Sequence, residues 1–269
     1  MNKLVAAAAL TSAALLSSQA SAQLVLGTGD FTNDVADNDV FLVDVASNTS
    51  SVLFSANIFG MTAVSADTLV YTDADETLFS FTIGGSGPVA IGQTGVGGND
   101  RVDGLAFSNG ILYGWQQFGD TAAGSLAGLY EIDLTTGART FSGGDLADDG
   151  AISGIDADPS TGIIYGVSDT DEEIVVIDPT TGFTSTLAAY PAGAIDIDGL
   201  AAGPGTLYLV EDEDAPIQIF DIASGTFSGT LDSPFGTADT FSGAAFLIPE
   251  PASLGLFGLA GLALVRRRQ

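Results

Sequence analysis

The chain has 269 residues, with 34 acids against six bases, and no cysteine or histidine. Without cysteine there are no disulfides or thiolate metal sites, and without histidine no Ser-His-Asp triad and no typical zinc site. A formal charge of −28 repels nucleic acid and anionic membrane surfaces and attracts cations, calcium above all.

From the N-terminus, Lys3 is followed by an apolar run from Leu4 to Leu16, then by the small residues Ala20-Ser21-Ala22 before Gln23. This order reads as a secretory signal peptide, residues 1–22, cut by signal peptidase between Ala22 and Gln23 after engaging the secretion machinery. The next 225 residues, 23–247, suffice for one domain with a full core. Only Arg101 and Arg139 are basic in this body, against 33 acids, for a net −31.

The body repeats. Glycines 60, 104, 154, 199 and 243 open similar stretches, at spacings of 44, 50, 45 and 44, and Tyr71, Tyr113, Tyr165 and Tyr208 recur in step. Between them lie pairs of β-rich runs joined by turns, with Asp44, Asp133, Asp178 and Asp221 in one position and Thr82 in the odd copy. An aspartate there accepts backbone amides of the following turn. Four short strands in a unit of about 45 residues predict a β-propeller blade. The first run, "LVLGTGD" from Leu24, matches a second strand, and the last, "SGAAF" from Ser242, a first strand. Pairing them completes a blade from both termini and buries two edges. The expected body is therefore all-β, a five-bladed propeller closed by its N- and C-terminal strands.

Loops from second to third strands, and from blade to blade, share one propeller face and hold 24 of the 34 acids. Their oxygen ligands suit Ca²⁺ or Mg²⁺, with three candidate groups: Asp34, Asp37 and Asp39; Asp73 and Asp75; Asp196 and Asp198. None forms an EF-hand loop, although "DIDG" from Asp196 has part of its shape; calcium is the candidate ion, and no other cofactor is indicated. Trp115 and Gln116, followed by Gln117 and Phe118, form an aromatic-amide patch that suits a sugar ring or, alternatively, packing between blades.

The chain closes on "IPEPASLGLFGLAGLALVRRRQ", residues 248–269. Its apolar stretch from Ala252 to Val265 has 14 residues, short of the roughly 20 of a stable span. Arg266, Arg267 and Arg268 would stay cytoplasmic. Pro249-Glu250-Pro251, an apolar helix and an arginine cluster together resemble the PEP-CTERM sorting signal of Gram-negative bacteria. The resemblance implies transient inner-membrane anchoring, processing near the Pro-Glu-Pro by an exosortase-type membrane protease, and delivery to the cell surface or extracellular matrix, often in makers of exopolysaccharide. The expected function is an exported surface or matrix protein, binding or structural, whose acidic face meets cations, polysaccharide or matrix proteins. The alternative is a Ca²⁺-dependent propeller hydrolase or lyase acting on a lactone or glycan.

Overall fold

The computed structural model describes residues 21–30, 38–95, 101–118, 126–144, 152–193, 196–211, 214–236 and 241–247. Ala20, Asp34, Asp37 and every residue of the tail from Pro249 to Arg268 lie outside them, so the signal-peptide and sorting-helix expectations rest on sequence. The described residues form twenty strands in five four-stranded antiparallel sheets.

The chain opens with β1 (Gln23–Gly29), β2 (Asp39–Asp44) and β3 (Thr49–Ser55). Blade 2 is β4 (Met61–Ala63), β5 (Thr68–Thr72), β6 (Thr77–Thr82) and β7 (Val89–Gln93). Blade 3 is β8 (Gly104–Ser108), β9 (Ile111–Gln116), β10 (Gly128–Ile132) and β11 (Arg139–Gly143). Blade 4 is β12 (Ile152–Ala157), β13 (Ile164–Ser168), β14 (Glu173–Ile177) and β15 (Thr184–Ala189). Blade 5 is β16 (Ile197–Gly203), β17 (Thr206–Glu211), β18 (Ile217–Asp221) and β19 (Thr226–Leu231). The last strand, β20 (Phe241–Leu247), pairs with β1 over seven residues, from Gln23↔Leu247 to Gly29↔Phe241. Blade 1 is thus β20-β1-β2-β3, closed from both termini as the unmatched runs required.

Burial falls from axis to rim. The inner strands β12 and β16 are buried throughout, while the outer strands β3 and β15 are largely exposed. Composition follows position: glycine, alanine and isoleucine inside, serine and threonine outside. The inner strands β4, β8, β12, β16 and β20 touch in a ring. Each blade–blade interface has its own hydrophobic core. Leu24 and Leu26 pack toward Tyr208 and Val210 of blade 5, and Val25, between them, toward Met61 and Leu69 of blade 2. This is the period-two alternation of a strand buried on both faces. In all five blades the pairing of third and fourth strands carries a register irregularity, a device that strengthens twist.

The aspartates at the turns between third and fourth strands do what their position predicts. Asp44 Oδ1 accepts the Ser47 amide at 2.9 Å, Asp133 Oδ1 that of Thr135 at 2.8 Å, Asp178 Oδ1 that of Thr180 at 2.8 Å and Asp221 Oδ1 that of Ser224 at 2.7 Å. These bonds and those from neighbouring hydroxyls hold all four carboxyls below the usual aspartate range. In the odd copy the Thr82 carbonyl accepts from the Gly85 amide instead.

Candidate functional site

The repeat glycines close the axis. A Cβ on Gly104 would lie 2.6 Å from Ile155 N, on Gly154 2.2 Å from Asp198 O, and on Gly243 2.6 Å from Ile58 Cγ2. Their missing side chains let five inner strands meet, and the remaining axial cavity is about 10 Å³, room for at most one water. Beside it Arg101, 7% exposed, forms an ion pair with buried Asp103. Its guanidinium carbon sits 4.2 Å from the Phe59 ring centroid and 4.4 Å from that of Phe241. Burial raises the Asp103 carboxyl and Arg101 opposes the rise. This end of the axis carries its own cation.

A different balance holds between blades 4 and 5. Asp169 follows β13, and Asp196 and Asp198 flank Ile197 where β16 begins, so both point to one side of that strand. Asp196 adopts φ 60°, a left-handed conformation that aspartate tolerates better than most residues. Carboxylate oxygens of the three lie within 4.8 Å of one another. Asp198 is buried, Asp169 partly buried and Asp196 exposed. Asp169 Oδ1 is buried without a hydrogen-bond partner, as is the Tyr190 hydroxyl. Burial, together with the Asp196 charge, pushes the Asp169 carboxyl up to about 6, against hydrogen bonds with Asp198 and Ser153. Burial and the charges of Asp169 and Asp198 also raise the Tyr190 hydroxyl.

Equivalent positions explain the imbalance. The residue three before the repeat glycine is Asn57 in blade 2, Arg101 in blade 3 and Asp196 in blade 5. Asn57 Nδ2 donates to the Asp30 carbonyl at 2.7 Å, and its Oδ1 accepts the Asp30 amide at 2.9 Å. Asp169 stands to Asp196 as Asp30 stands to Asn57, 27 residues earlier in each case. At one junction an amide meets the aspartate; in blade 3 an arginine neutralises one; at the third junction acid meets acid. Three oxygen donors grouped in this way are the ligand type a hard divalent cation takes.

The structure thus brings Asp196 and Asp198 together and adds Asp169, a loop acid that sequence reading did not single out. Its signal was the contrast of "RVDG" at 101 with "DIDG" at 196. Asp39 stands apart, accepting the Ser55 hydroxyl at 2.8 Å. Asp73 and Asp75 share a loop in blade 2, where Asp73 Oδ1 accepts the Asp75 amide at 3.0 Å. Among the described residues, Asp169, Asp196 and Asp198 are the one group of three acids placed to share an ion. Trp115 is 6% exposed and packs with blade 4 in the interface core. Its indole N–H meets no acceptor. Gln116 is fully buried, its Oε1 accepting from Arg139 at 2.7 Å. Phe118, 49% exposed, is what this patch shows to solvent.

A second buried acid went unsuspected. Asp156 lies on β12 two residues past Gly154, away from the acidic face. Its Oδ1 accepts the Thr62 hydroxyl of blade 2 at 2.8 Å and the Ala157 amide at 2.9 Å. Its Oδ2 accepts the Ala202 amide of blade 5 at 2.8 Å, and the Phe246 amide of blade 1 bonds the same carboxylate. Burial pushes this carboxyl up to about 7 despite those four donors.

Residues 247–269 match the PEP-CTERM protein-sorting motif. The chain therefore carries a sorting signal that implies recognition by an exosortase and export to the cell surface, on a five-bladed propeller body. No curated protein matches the chain. Among solved structures it is similar to a chain in the crystal structure of a nidogen/laminin complex, at 13% identity and TM-score 0.57, over 86% of this chain and all of that one. It is also similar to a structural genomics protein of unknown function from Bacteroides thetaiotaomicron VPI-5482, at 13% identity and TM-score 0.53, over 84% of this chain and 71% of that one. Both likenesses concern the fold.

Proposed function

We propose that this is an exported, exosortase-sorted propeller of the surface or extracellular matrix of a Gram-negative bacterium, which binds Ca²⁺ on its acidic face and there meets polysaccharide or matrix proteins. The observation that carries the metal reading is the meeting of Asp169, Asp196 and Asp198, with a buried Asp169 oxygen lacking any donor, where equivalent junctions hold an asparagine or an arginine. Asp169 and Asp198 are the inner ligands, Asp196 the outer one, and water completes the shell. A chain of similar fold belongs to a nidogen/laminin complex, an association compatible with a binding role here. Among the described residues the axis is filled by glycine backbone, with Arg101 beside it.

Calorimetric titration of Ca²⁺ into the protein, with thermal melts alongside, tests the reading. One saturable site that raises Tm, and that is lost in both Asp198→Asn and Asp169→Asn, is expected. Only weak, salt-sensitive uptake that persists in both variants would show that the acids are a solvated face.

A further inference from the structure

A cleft of about 360 Å³ lies between blades 1 and 2, opening at the acidic face and away from the three-aspartate junction. One wall is mostly carbon: Phe79 and Pro88 face the cleft, and buried Tyr71 lies behind Phe79. The Tyr71 and Phe79 rings stack at 5.2 Å with 13° between their planes, and Phe54 backs Tyr71 at 5.9 Å, so the wall is fixed. The other wall is polar: Asn57, Asp73 and Asp75. Asp73 Oδ1 is occupied by the amides of Asp75 and Thr77, at 3.0 and 2.9 Å, which pins the carboxylate in place. Among the described residues, no basic side chain lines the cleft.

This division selects among cations. A divalent ion needs six to eight oxygens at close range. The cleft offers two carboxylates and an amide already bonded to Asp30, beside the apolar faces of Phe79 and Pro88. An organic cation matches both halves, since its charged nitrogen meets carboxylates while its carbon body displaces water from the rings. The volume suits a six-membered ring or an aliphatic chain of similar size. Partial burial raises the Asp73 carboxyl, and the neighbouring Asp75 charge adds to the rise, so a positive group placed there gains more than it would at an open surface.

We propose that this cleft binds a small organic ammonium, its nitrogen held by Asp73 and Asp75 and its carbon body laid against Phe79 and Pro88. The site is independent of the calcium junction and stands or falls separately from it.

Titration of the protein with cyclohexylammonium, cyclohexanol and the ammonium ion, at physiological ionic strength and saturating Ca²⁺, separates the contributions. Saturable cyclohexylammonium binding is expected, about tenfold tighter than either control. The amide resonances of Asp75 and Thr77 should move with it. Asp75→Asn, at an exposed position, should weaken binding about fivefold without loss of fold. Asp73→Asn keeps the Oδ1 acceptor and should do the same. Asp196→Asn should leave ammonium binding unchanged. Equal affinity for cyclohexanol would reduce the cleft to an apolar slot, and equal affinity for the ammonium ion would reduce it to diffuse charge. Either result overturns the proposal, as does unchanged binding in both cleft variants or no saturation at all.

Discussion

Asp196 sets an acid where the equivalent positions hold Asn57 and Arg101. Asparagine is at ease at φ 60° and offers Asp169 the kind of amide partner that Asn57 gives Asp30. Asp196→Asn is therefore expected to raise the calcium-free Tm by about 2–4 °C, the shift that roughly 1 kcal/mol produces in a body of this size. It should also shrink the shift on adding Ca²⁺, since one ligand charge is gone. On the proposed calcium reading, proton and metal compete at the same place. The Asp169 carboxyl sits above its ordinary value, at about 6, so its favourable share of stability is complete below about pH 4 and lost as pH rises through 6. Calcium replaces the lost proton, and calcium-induced stabilisation measured by thermal melts should grow from pH 5 to pH 8. Asp196 and Asp198 were legible as a pair because they share one strand side. Asp169 was not, because its partners come from the next blade and appear only when the residues three before each glycine are compared. Trp115 illustrates another limit: an aromatic late in a strand reads equally as a ligand platform or as core, and only burial separates the two.

At the level of elements, glycine spacing is what makes five inner strands fit around one axis. Gly154→Ala places a methyl 2.2 Å from the Asp198 carbonyl oxygen, backbone that cannot swing aside. It is expected to cost about 3 kcal/mol and to lower Tm by roughly 6–12 °C. Because Asp198 must shift, Ca²⁺ affinity should drop with it. The control is Gly229 on the outer strand β19, where an added Cβ meets nothing within 4 Å and φ is not positive. Gly229→Ala should be neutral or stabilise by about 0.5 kcal/mol. If both variants melt alike, the glycines are conformational rather than spatial in role. The same periodicity made the architecture readable. Five glycines at near-equal spacing, a tyrosine in each second strand of blades 2 to 5 and two unmatched terminal runs left one arrangement that pairs every inner edge. The recurrent irregularity between third and fourth strands was not readable, because one extra residue in a Ser/Thr-rich rim leaves no hydrophobic register to betray it.

Across the whole molecule, Asp156 ties the ring together. It sits on blade 4 and accepts hydrogen bonds from blades 1, 2 and 5. Alanines occupy its place at 106, 201 and 245 in three other blades, which leaves room for its reach across the axis to Thr62. A residue that appears once in a repeat, with its partner 94 residues away, has no periodic signature, and so sequence reading passed over it. Its energetics are unlike those of the turn aspartates. Their carboxyls lie below the ordinary value, so they support the fold above about pH 4 and lose that support on acidification. The Asp156 carboxyl lies above it, at about 7, so the native state holds its proton between about pH 4 and 7 while the unfolded chain does not. Stability on its account is full below about pH 4 and falls until about pH 7, by on the order of 4 kcal/mol. Surface repulsion among the acids acts in the same direction but is screened by salt, and the Asp169 share is masked by Ca²⁺. In high salt with saturating Ca²⁺, the remaining fall in Tm from pH 5 to pH 8 is shared by Asp156 with Asp103 and Asp73, whose carboxyls are also raised, and the Asp156 part is what its substitution removes. Asp156→Asn, uncharged at every pH and similar in shape, should flatten that slope. Asp156→Ala should lower Tm at both pH values, because the Thr62 hydroxyl and the three amides lose their acceptor in a closed axis. A slope unchanged in Asp156→Asn would place the titration elsewhere and leave Asp156 a plain structural acceptor.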